Sequence, residues 1–108
     1  MGFIYLIVQI DNSGEESHKI GFTKNQPELR VKQLSTGNAN QIRLVNSYES
    51  THYKNIEKKL HKKYSQYKTL AQNEWFNLPQ KEVALFTKNC ETFDELEKFM
   101  KTNNYFYK

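Results

Sequence analysis

The chain has 108 residues, of which 37% are hydrophobic and 14% aromatic, and its formal net charge is +4. This length predicts one domain with a modest core rich in aromatic side chains, and no stretch reaches the ~20 apolar residues of a membrane span. A single cysteine, Cys90, excludes an internal disulfide and the multi-cysteine zinc patterns. The lone cysteine and the lack of a signal-peptide pattern favour an intracellular protein, and the basic charge is a weak indication of a nucleic-acid partner.

The first third of the chain predicts a β-hairpin followed by a short helix. Residues 3–10 are apolar and rich in β-branched and aromatic types, which is typical of a buried strand. The turn-forming stretch "DNSGEES" comes next, and "HKIGF" then resumes an extended pattern, so the two strands are expected to pair antiparallel. Pro27 suits the first position of a helix over 27–35, with Asn25 or Gln26 as its cap.

The remaining two thirds predict one more strand and three helices. "IRLVNSYES" is a third strand candidate, and "THYKNIEKKLHKKYSQY" has apolar residues at helical spacing, with Thr51 as its expected cap. "KEVALFTKNC" and "TFDELEKFMKTN" predict two separate amphipathic helices, the first beginning near Pro79 and the second capped by Thr92. The fold class expected from this order is α+β, with a small three-stranded antiparallel sheet flanked by helices.

Five short motifs occur in a fixed order along the chain: "GFIY", "HKIG", "PELRVKQLSTGN", "IEKKLH" and "NEWFNL". Their order resembles the GIY-YIG nuclease superfamily, and specifically its phage and viral branch, in which K-I-G replaces Y-I-G. The resemblance implies the GIY-YIG fold. It covers about residues 2–78, so we expect a single domain over 1–108 with its core at 2–78 and a C-terminal helical extension at 79–108.

The resemblance implies an endonuclease that hydrolyses DNA phosphodiester bonds with Mg²⁺ or Mn²⁺. Glu57 would hold the metal, Arg30 would stabilise charge on the phosphoryl oxygens, and Tyr5 would take the proton from the attacking water. Lys19 stands where the family's second signature tyrosine falls, and its ammonium would favour the phenolate of Tyr5 or contact the phosphate. His61 shares a helix face with Glu57 and could orient the carboxylate, ligate the metal or assist the leaving group.

Further residues are expected to contact the DNA. They are Gly21, Lys24, Lys58, Lys62 and Asn77. Gly21 has no side chain and would let the backbone of the substrate or of a helix approach closely. Asn77, or Asn73 just before Glu74, would stand in for a late asparagine of the family. His18 neighbours Lys19 on a strand and so faces the opposite way, and we do not expect it to be catalytic.

Structural roles compete with each of these assignments. A tyrosine in an apolar strand, such as Tyr5, is commonly a core residue, and Arg30 and Glu57 could lie on solvated helix faces. Two other functions therefore stay open: a non-cleaving nucleic-acid-binding module, and a protein-interaction domain that has lost catalysis. The expected partner is DNA and not a membrane, with a homodimer or a partner protein supplying specificity. The expected location is the cytoplasm of a bacterial or virus-infected cell.

Overall fold

A four-stranded antiparallel sheet, with strand order β3-β1-β2-β4, carries the helices of this α+β fold. The computed structural model describes residues 1–69 and 75–102. In chain order the elements are β1 (Gly2–Ile10), β2 (Glu16–Thr23), α1 (Pro27–Ser35), β3 (Gln41–Ser50), α2 (Tyr53–Lys63), a 3₁₀ turn (Ser65–Tyr67), β4 (Trp75–Phe76), α3 (Gln80–Ala84) and α4 (Phe86–Thr102). The predicted fold class is confirmed, and the sheet has one strand more than the three expected. None of the helices in the two described ranges is long and apolar enough to cross a membrane.

The β1–β2 hairpin forms as its sequence predicts. Its turn is closed by Asp11, whose Oδ1 accepts hydrogen bonds from the backbone N–H groups of Ser13 at 2.8 Å and Glu15 at 3.0 Å. The register places Tyr5 opposite Gly21 and places the next pair on the same face, Ile7 opposite Lys19. Since directly opposed residues of an antiparallel pair share a face, the side chains of Tyr5 and Lys19 emerge on the same side of the sheet.

The hydrophobic core lies on the other face of the hairpin. Ile4, Leu6 and Ile20 are fully buried there and pack against Ile56 and Leu60 of α2, which confirms the helical spacing read from the sequence. The cluster also contains the aromatic side chains Tyr53, Tyr64, Phe76 and Phe86. Because α2 packs against β2 while α1 packs against β3 and β1, side chains from both helices can reach the edge of β2.

Two predicted helix boundaries were wrong. Thr92 does not cap a helix but lies inside α4, where its Oγ1 donates a hydrogen bond to the carbonyl of Lys88 at 3.0 Å. A threonine hydroxyl can bond the carbonyl four residues earlier, so its presence does not end a helix. The N-cap of α2 is His52 rather than Thr51, and the Oγ of Ser50 accepts the backbone N–H of His52 at 2.9 Å. The division into a core over 2–78 and an extension over 79–108 stays a prediction.

Candidate functional site

One cleft of about 230 Å³ gathers a phenol, two cations, a carboxylate and an imidazole at the edge of β2. Its lining consists of Tyr5, Lys19, Ile20, Gly21, Phe22, Arg30, Glu57 and His61. These side chains come from β1, β2, α1 and α2, and the cleft exists only because the sheet edge brings those four elements together. The structure therefore assembles all five residues predicted to be catalytic, together with Gly21. Their roles stay predictions.

Gly21 is required by the ring of Tyr5. A Cβ built on Gly21 would lie 2.5 Å from Cζ of Tyr5, whereas real Cβ atoms essentially never come within 3.0 Å of a neighbour. Tyr5 is 2% exposed, so its ring has little room to move aside. The space above Gly21 is thus taken by Tyr5 itself, and not by the backbone of a substrate or helix as the sequence suggested. Gly21 acts by setting the position of the phenol in the cleft.

Lys19 places its ammonium between the cleft and an indole ring. The residue is 7% exposed, and its Nζ lies 5.9 Å from the ring centroid of Trp75, which opposes Lys19 in the short β2–β4 pair. A cation at this distance from an indole face is attracted by the ring quadrupole. The ammonium is therefore positioned by contacts on its own strand pair while it also lines the cleft.

Glu57 and His61 lie one helical turn apart on α2, with 3.5 Å between Glu57 Oε1 and His61 Nε2. The same Nε2 lies 2.6 Å from the backbone oxygen of Ile20. A carbonyl only accepts, so Nε2 carries a hydrogen and donates it to Ile20. On β2, the described residues of β4 pair with His18 and Lys19, and His61 binds the backbone of β2 at the next residue, Ile20.

This hydrogen bond bears on metal ligation, one of the three roles predicted for His61, and the role of His61 stays a prediction. An Nε2 that donates to Ile20 has no lone pair for a metal ion, so metal ligation through that atom does not fit. The ring also packs edge-on against Phe76, with 5.1 Å between the centroids. The carboxylate of Glu57 lies beside this anchored imidazole, which is compatible with the orienting role predicted for His61.

The donor set fits a magnesium ion only if the substrate completes its coordination. Within residues 1–69 and 75–102, no three His, Cys, Asp or Glu side chains gather where they could hold a metal. Mg²⁺ is commonly bound through one or two carboxylates, with waters and substrate phosphates as its other ligands. Glu57 offers one carboxylate, 17% exposed, in a cleft that also holds cations suited to a phosphate. The residues therefore fit a metal held jointly by protein and nucleic acid.

The other predicted DNA contacts lie outside this cleft. Lys24 borders a separate cavity together with Lys54 and Lys101, and Asn77 borders another with Trp75. Lys58 and Lys62 are exposed on α2. His18 is buried away from the cleft, as strand alternation predicts, and its burial lowers its pKa. Asn73 and Glu74 lie outside the described residues.

A buried polar cluster on the far side of α2 was not predicted. Asp94 of α4 accepts hydrogen bonds from Ser50 Oγ at 2.9 Å, from His52 Nδ1 at 3.1 Å and from the Tyr48 hydroxyl at 2.8 Å. Burial opposes ionisation of Asp94, but the three hydrogen bonds together lower its pKa. Burial and then contact with Asp94 raise the pKa of Tyr48 to about 12.

This cluster holds the fold together and does not form a nucleophile. The serine hydroxyl bonds the carboxylate, whereas an activated serine would have to bond the free nitrogen of the imidazole. Its members come from β3, the α2 cap and α4, so the cluster ties the last helix to the sheet. No local sequence pattern could have signalled it, because Asp94 is 42 residues from His52.

Comparison with known proteins corrects the family expected from the motifs. A family model described as the T5orf172 domain matches residues 2–91. No curated protein and no solved structure gives a match. The prediction of GIY-YIG membership was wrong, because the model that matches is that of a different domain family, one associated with nuclease-like proteins. All eight residues that line the cleft fall inside the matched range, and Asp94 falls beyond it.

Proposed function

The chain belongs to the T5orf172 domain family, and from that premise we propose that it is a divalent-metal-dependent endonuclease that hydrolyses DNA phosphodiester bonds. The family indicates a nuclease-related or DNA-binding function. One observation supports the finer proposal: the phenol of Tyr5, the cations Lys19 and Arg30 and the carboxylate of Glu57 line a single cleft. Phosphodiester hydrolysis needs these groups, namely a proton acceptor for water, positive charge at the phosphoryl oxygens and a carboxylate for a metal.

The two cations bind the scissile phosphate. Arg30 enters from α1 and is partly exposed, so its planar guanidinium can meet two non-bridging oxygens at once. Lys19 adds a point charge from the floor of the cleft. Charge that builds on the phosphoryl oxygens in the transition state is then stabilised by groups already in place, which is the most effective form of electrostatic catalysis.

Tyr5 and Glu57 supply the remaining chemistry. The hydroxyl of Tyr5 lines the cleft and would, as the phenolate favoured by the ammonium of Lys19, take the proton from an attacking water. Glu57 would hold Mg²⁺ or Mn²⁺ with the help of substrate oxygens. A bound divalent ion supplies positive charge at the phosphate and makes a bound water more acidic.

His61 and Gly21 act as positioning residues. His61 lies 3.5 Å from Glu57 and 2.6 Å from the backbone oxygen of Ile20, so it keeps the carboxylate at a fixed place relative to β2. Gly21 leaves room for the Tyr5 ring directly beside that strand. A misplacement of about 1 Å in such a site can cost ~10² in rate, so both residues are expected to matter for cleavage without touching DNA.

A non-cleaving DNA-binding module is the second candidate. It is favoured because, among the described residues, Glu57 alone brings a carboxylate to the cleft, and a site with one acidic ligand binds metal weakly without its substrate. None of the cleft residues in the described ranges favours a protein-interaction domain that has lost catalysis. The two nucleic-acid functions differ in one observable, which is whether bound DNA is cut.

The test is nicking of supercoiled plasmid in Mg²⁺, in Mn²⁺ and in EDTA. We expect nicking with either metal and none in EDTA. Glu57→Gln, which keeps the side-chain shape and removes the charge, should lower the rate by ~10² or more. Glu95→Gln is the matched control, because Glu95 is exposed on α4. DNA binding without nicking in either metal would establish the binding module, and wild-type rates in folded Glu57→Gln would remove Glu57 from the site.

A further inference from the structure

A second and larger cavity, of about 600 Å³, lies beside the cleft at the turn end of the β1–β2 hairpin. Its lining includes Gln9, Ser17, Asn40, Lys68, Trp75 and Asn77. Gln9 pairs with Ser17 two residues beyond the pair of Ile7 with Lys19. Strand alternation therefore puts this cavity on the same face of the sheet as Tyr5 and Lys19. The two concavities are neighbours along one surface.

Lys19 and Trp75 connect the cleft with the larger cavity. Trp75 lines the larger cavity and Lys19 lines the cleft, and the ammonium of Lys19 lies 5.9 Å from the Trp75 ring centroid. A phosphate bound by Lys19 in the cleft would therefore have the indole within reach of its own nucleotide. Trp75 is half-buried, and a partly accessible aromatic ring next to a cation is an arrangement that proteins use to hold single-stranded nucleic acid, with bases stacked on the ring.

The polar groups of the larger cavity suit a nucleobase. Gln9, Asn40 and Asn77 carry carboxamides, each of which both donates and accepts hydrogen bonds, as the Watson–Crick edge of a base does. A base inside a duplex has that edge occupied and is stacked on both sides, so only an unpaired base can enter a concave site of this kind.

The charges of the cavity fix the direction in which a nucleotide would lie. Asp11, Glu15 and Glu16 line the end of the cavity at the hairpin turn, whereas Lys68, a cation of the same lining, forms a β-bridge with Phe76 of β4. Phosphates are repelled from three carboxylates, whereas an uncharged base is not. The phosphate therefore belongs at the Lys19 end and the base beyond Trp75.

We propose that this cavity is a nucleobase subsite that takes one unpaired nucleotide adjacent to the phosphate in the cleft. The preferred substrate is then DNA with a single-stranded or displaced nucleotide at the cut, and not uninterrupted duplex. The position next to a scissile phosphate rests on the proposed function. The binding of an unpaired base does not, since it requires no cleavage.

Trp75 is the only tryptophan in the chain, so intrinsic fluorescence reports on the subsite directly. Wild-type protein in EDTA is titrated with a short single-stranded oligodeoxynucleotide, with an abasic oligomer of the same length and with the matching duplex. We expect saturable quenching by the single strand and little by the other two. The abasic oligomer carries the same phosphates, so equal quenching by both strands, or no quenching by a strand shown to bind by anisotropy, would overturn the proposal.

A substitution series gives a second readout, the affinity for a labelled single strand by anisotropy. Trp75→Leu should weaken it roughly 5- to 150-fold, the range that corresponds to the loss of one stacked base. Trp75→Phe should retain most of it. Phe99→Leu, which changes an exposed aromatic residue of α4, is the matched control. Unchanged affinity in Trp75→Leu would contradict the subsite, and the wild-type titration decides the matter if that variant fails to fold.

The nuclease proposal and the subsite proposal can be refuted independently of each other. Base-dependent quenching by a protein that cuts no DNA would refute the nuclease and keep the subsite. Metal-dependent cutting at equal rates on duplex and on gapped or flapped DNA, without base-dependent quenching, would refute the subsite and keep the nuclease.

Discussion

The docking of α4 against the sheet depends on Asp94. The loss of unfolding free energy on replacing Asp94 can be worked out from its contacts. Asp94 is 5% exposed and accepts three hydrogen bonds, two of them from the buried residues Ser50 and His52. Hydrogen bonds to a charged group contribute ~1.5–3 kcal/mol each, and the cost of burying the ionised carboxylate offsets part of that. Asp94→Ala also leaves two buried polar groups without their partner. We expect it to lower the free energy of unfolding by about 3–5 kcal/mol.

The assay is urea unfolding followed by circular dichroism at neutral pH. Glu91→Ala is the control, because Glu91 is exposed on the same helix, and its effect should stay within about 0.5 kcal/mol. Asp94→Asn keeps the shape of the side chain and some of the hydrogen bonds. Its loss of unfolding free energy should therefore fall between those of Asp94→Ala and Glu91→Ala. A loss below about 1 kcal/mol in Asp94→Ala would mean that the cluster does not hold α4 against the sheet.

The same cluster around Asp94 predicts how the stability of the fold changes with pH. The pKa of Asp94 is lower in the folded state than its ordinary value of 3.8. Its stabilisation is therefore fully present above pH 3.8 and is lost as the pH falls through the lower, folded-state pKa. Over that acid range, wild type should lose more stability than Asp94→Asn, which has no such proton to bind. If the unfolding free energies of wild type and Asp94→Asn fall in parallel as the pH is lowered, this reasoning is contradicted.

Three further predictions concern the cleft and its surroundings. Lys19→Met should lower the cleavage rate at saturating DNA by ~10²–10³ while affinity stays within a few-fold, and a reversed pattern would make Lys19 only a phosphate anchor. Gly21→Ala should displace the Tyr5 ring and cost about 1–3 kcal/mol in a thermal melt along with most of the activity. An unchanged melt and rate would show that the ring can move aside. Replacing Lys58 and Lys62 together by Gln should flatten the slope of log affinity against log salt by about 1.8 if each contacts one duplex phosphate. An unchanged slope would make them solvated surface residues.

Much of the fold could be predicted because its signals are local. The hairpin, α1, β3 and α2 each follow from the spacing of apolar residues and from turn residues next to them. β4 consists of two residues, which carry no periodicity, and its pairing with β2 is set by tertiary context. The continuous α4 was read as two helices because Thr92 has the residue type of a cap, while its actual hydrogen bond lies within the helix.

The candidate site shows a different limit. The motifs predicted a common site for five residues, and the structure places all five at one cleft: Tyr5, Lys19, Arg30, Glu57 and His61. Their roles stay predictions, and the family inferred from the same motifs was wrong. The role of Gly21 could not be read from sequence, because it depends on the cross-strand position of the Tyr5 ring. The place of Trp75 could not be read from sequence either, because only the pairing of β4 with β2 reveals that its ring lies beside Lys19 and lines a cavity.

The central claim is that Tyr5 and Glu57 act together in one cleft that cuts DNA. The most direct test is the single-turnover cleavage rate, with protein in excess over labelled DNA in Mg²⁺, for wild type, Tyr5→Phe, Glu57→Gln and the double variant. Groups that act as a unit are strongly non-additive, so each single variant should lose ~10² or more and the double variant should be little worse than either. Losses that multiply in the double variant would place the two residues in independent roles. Cleavage at the wild-type rate by a folded double variant would show that the cleft is not the active site.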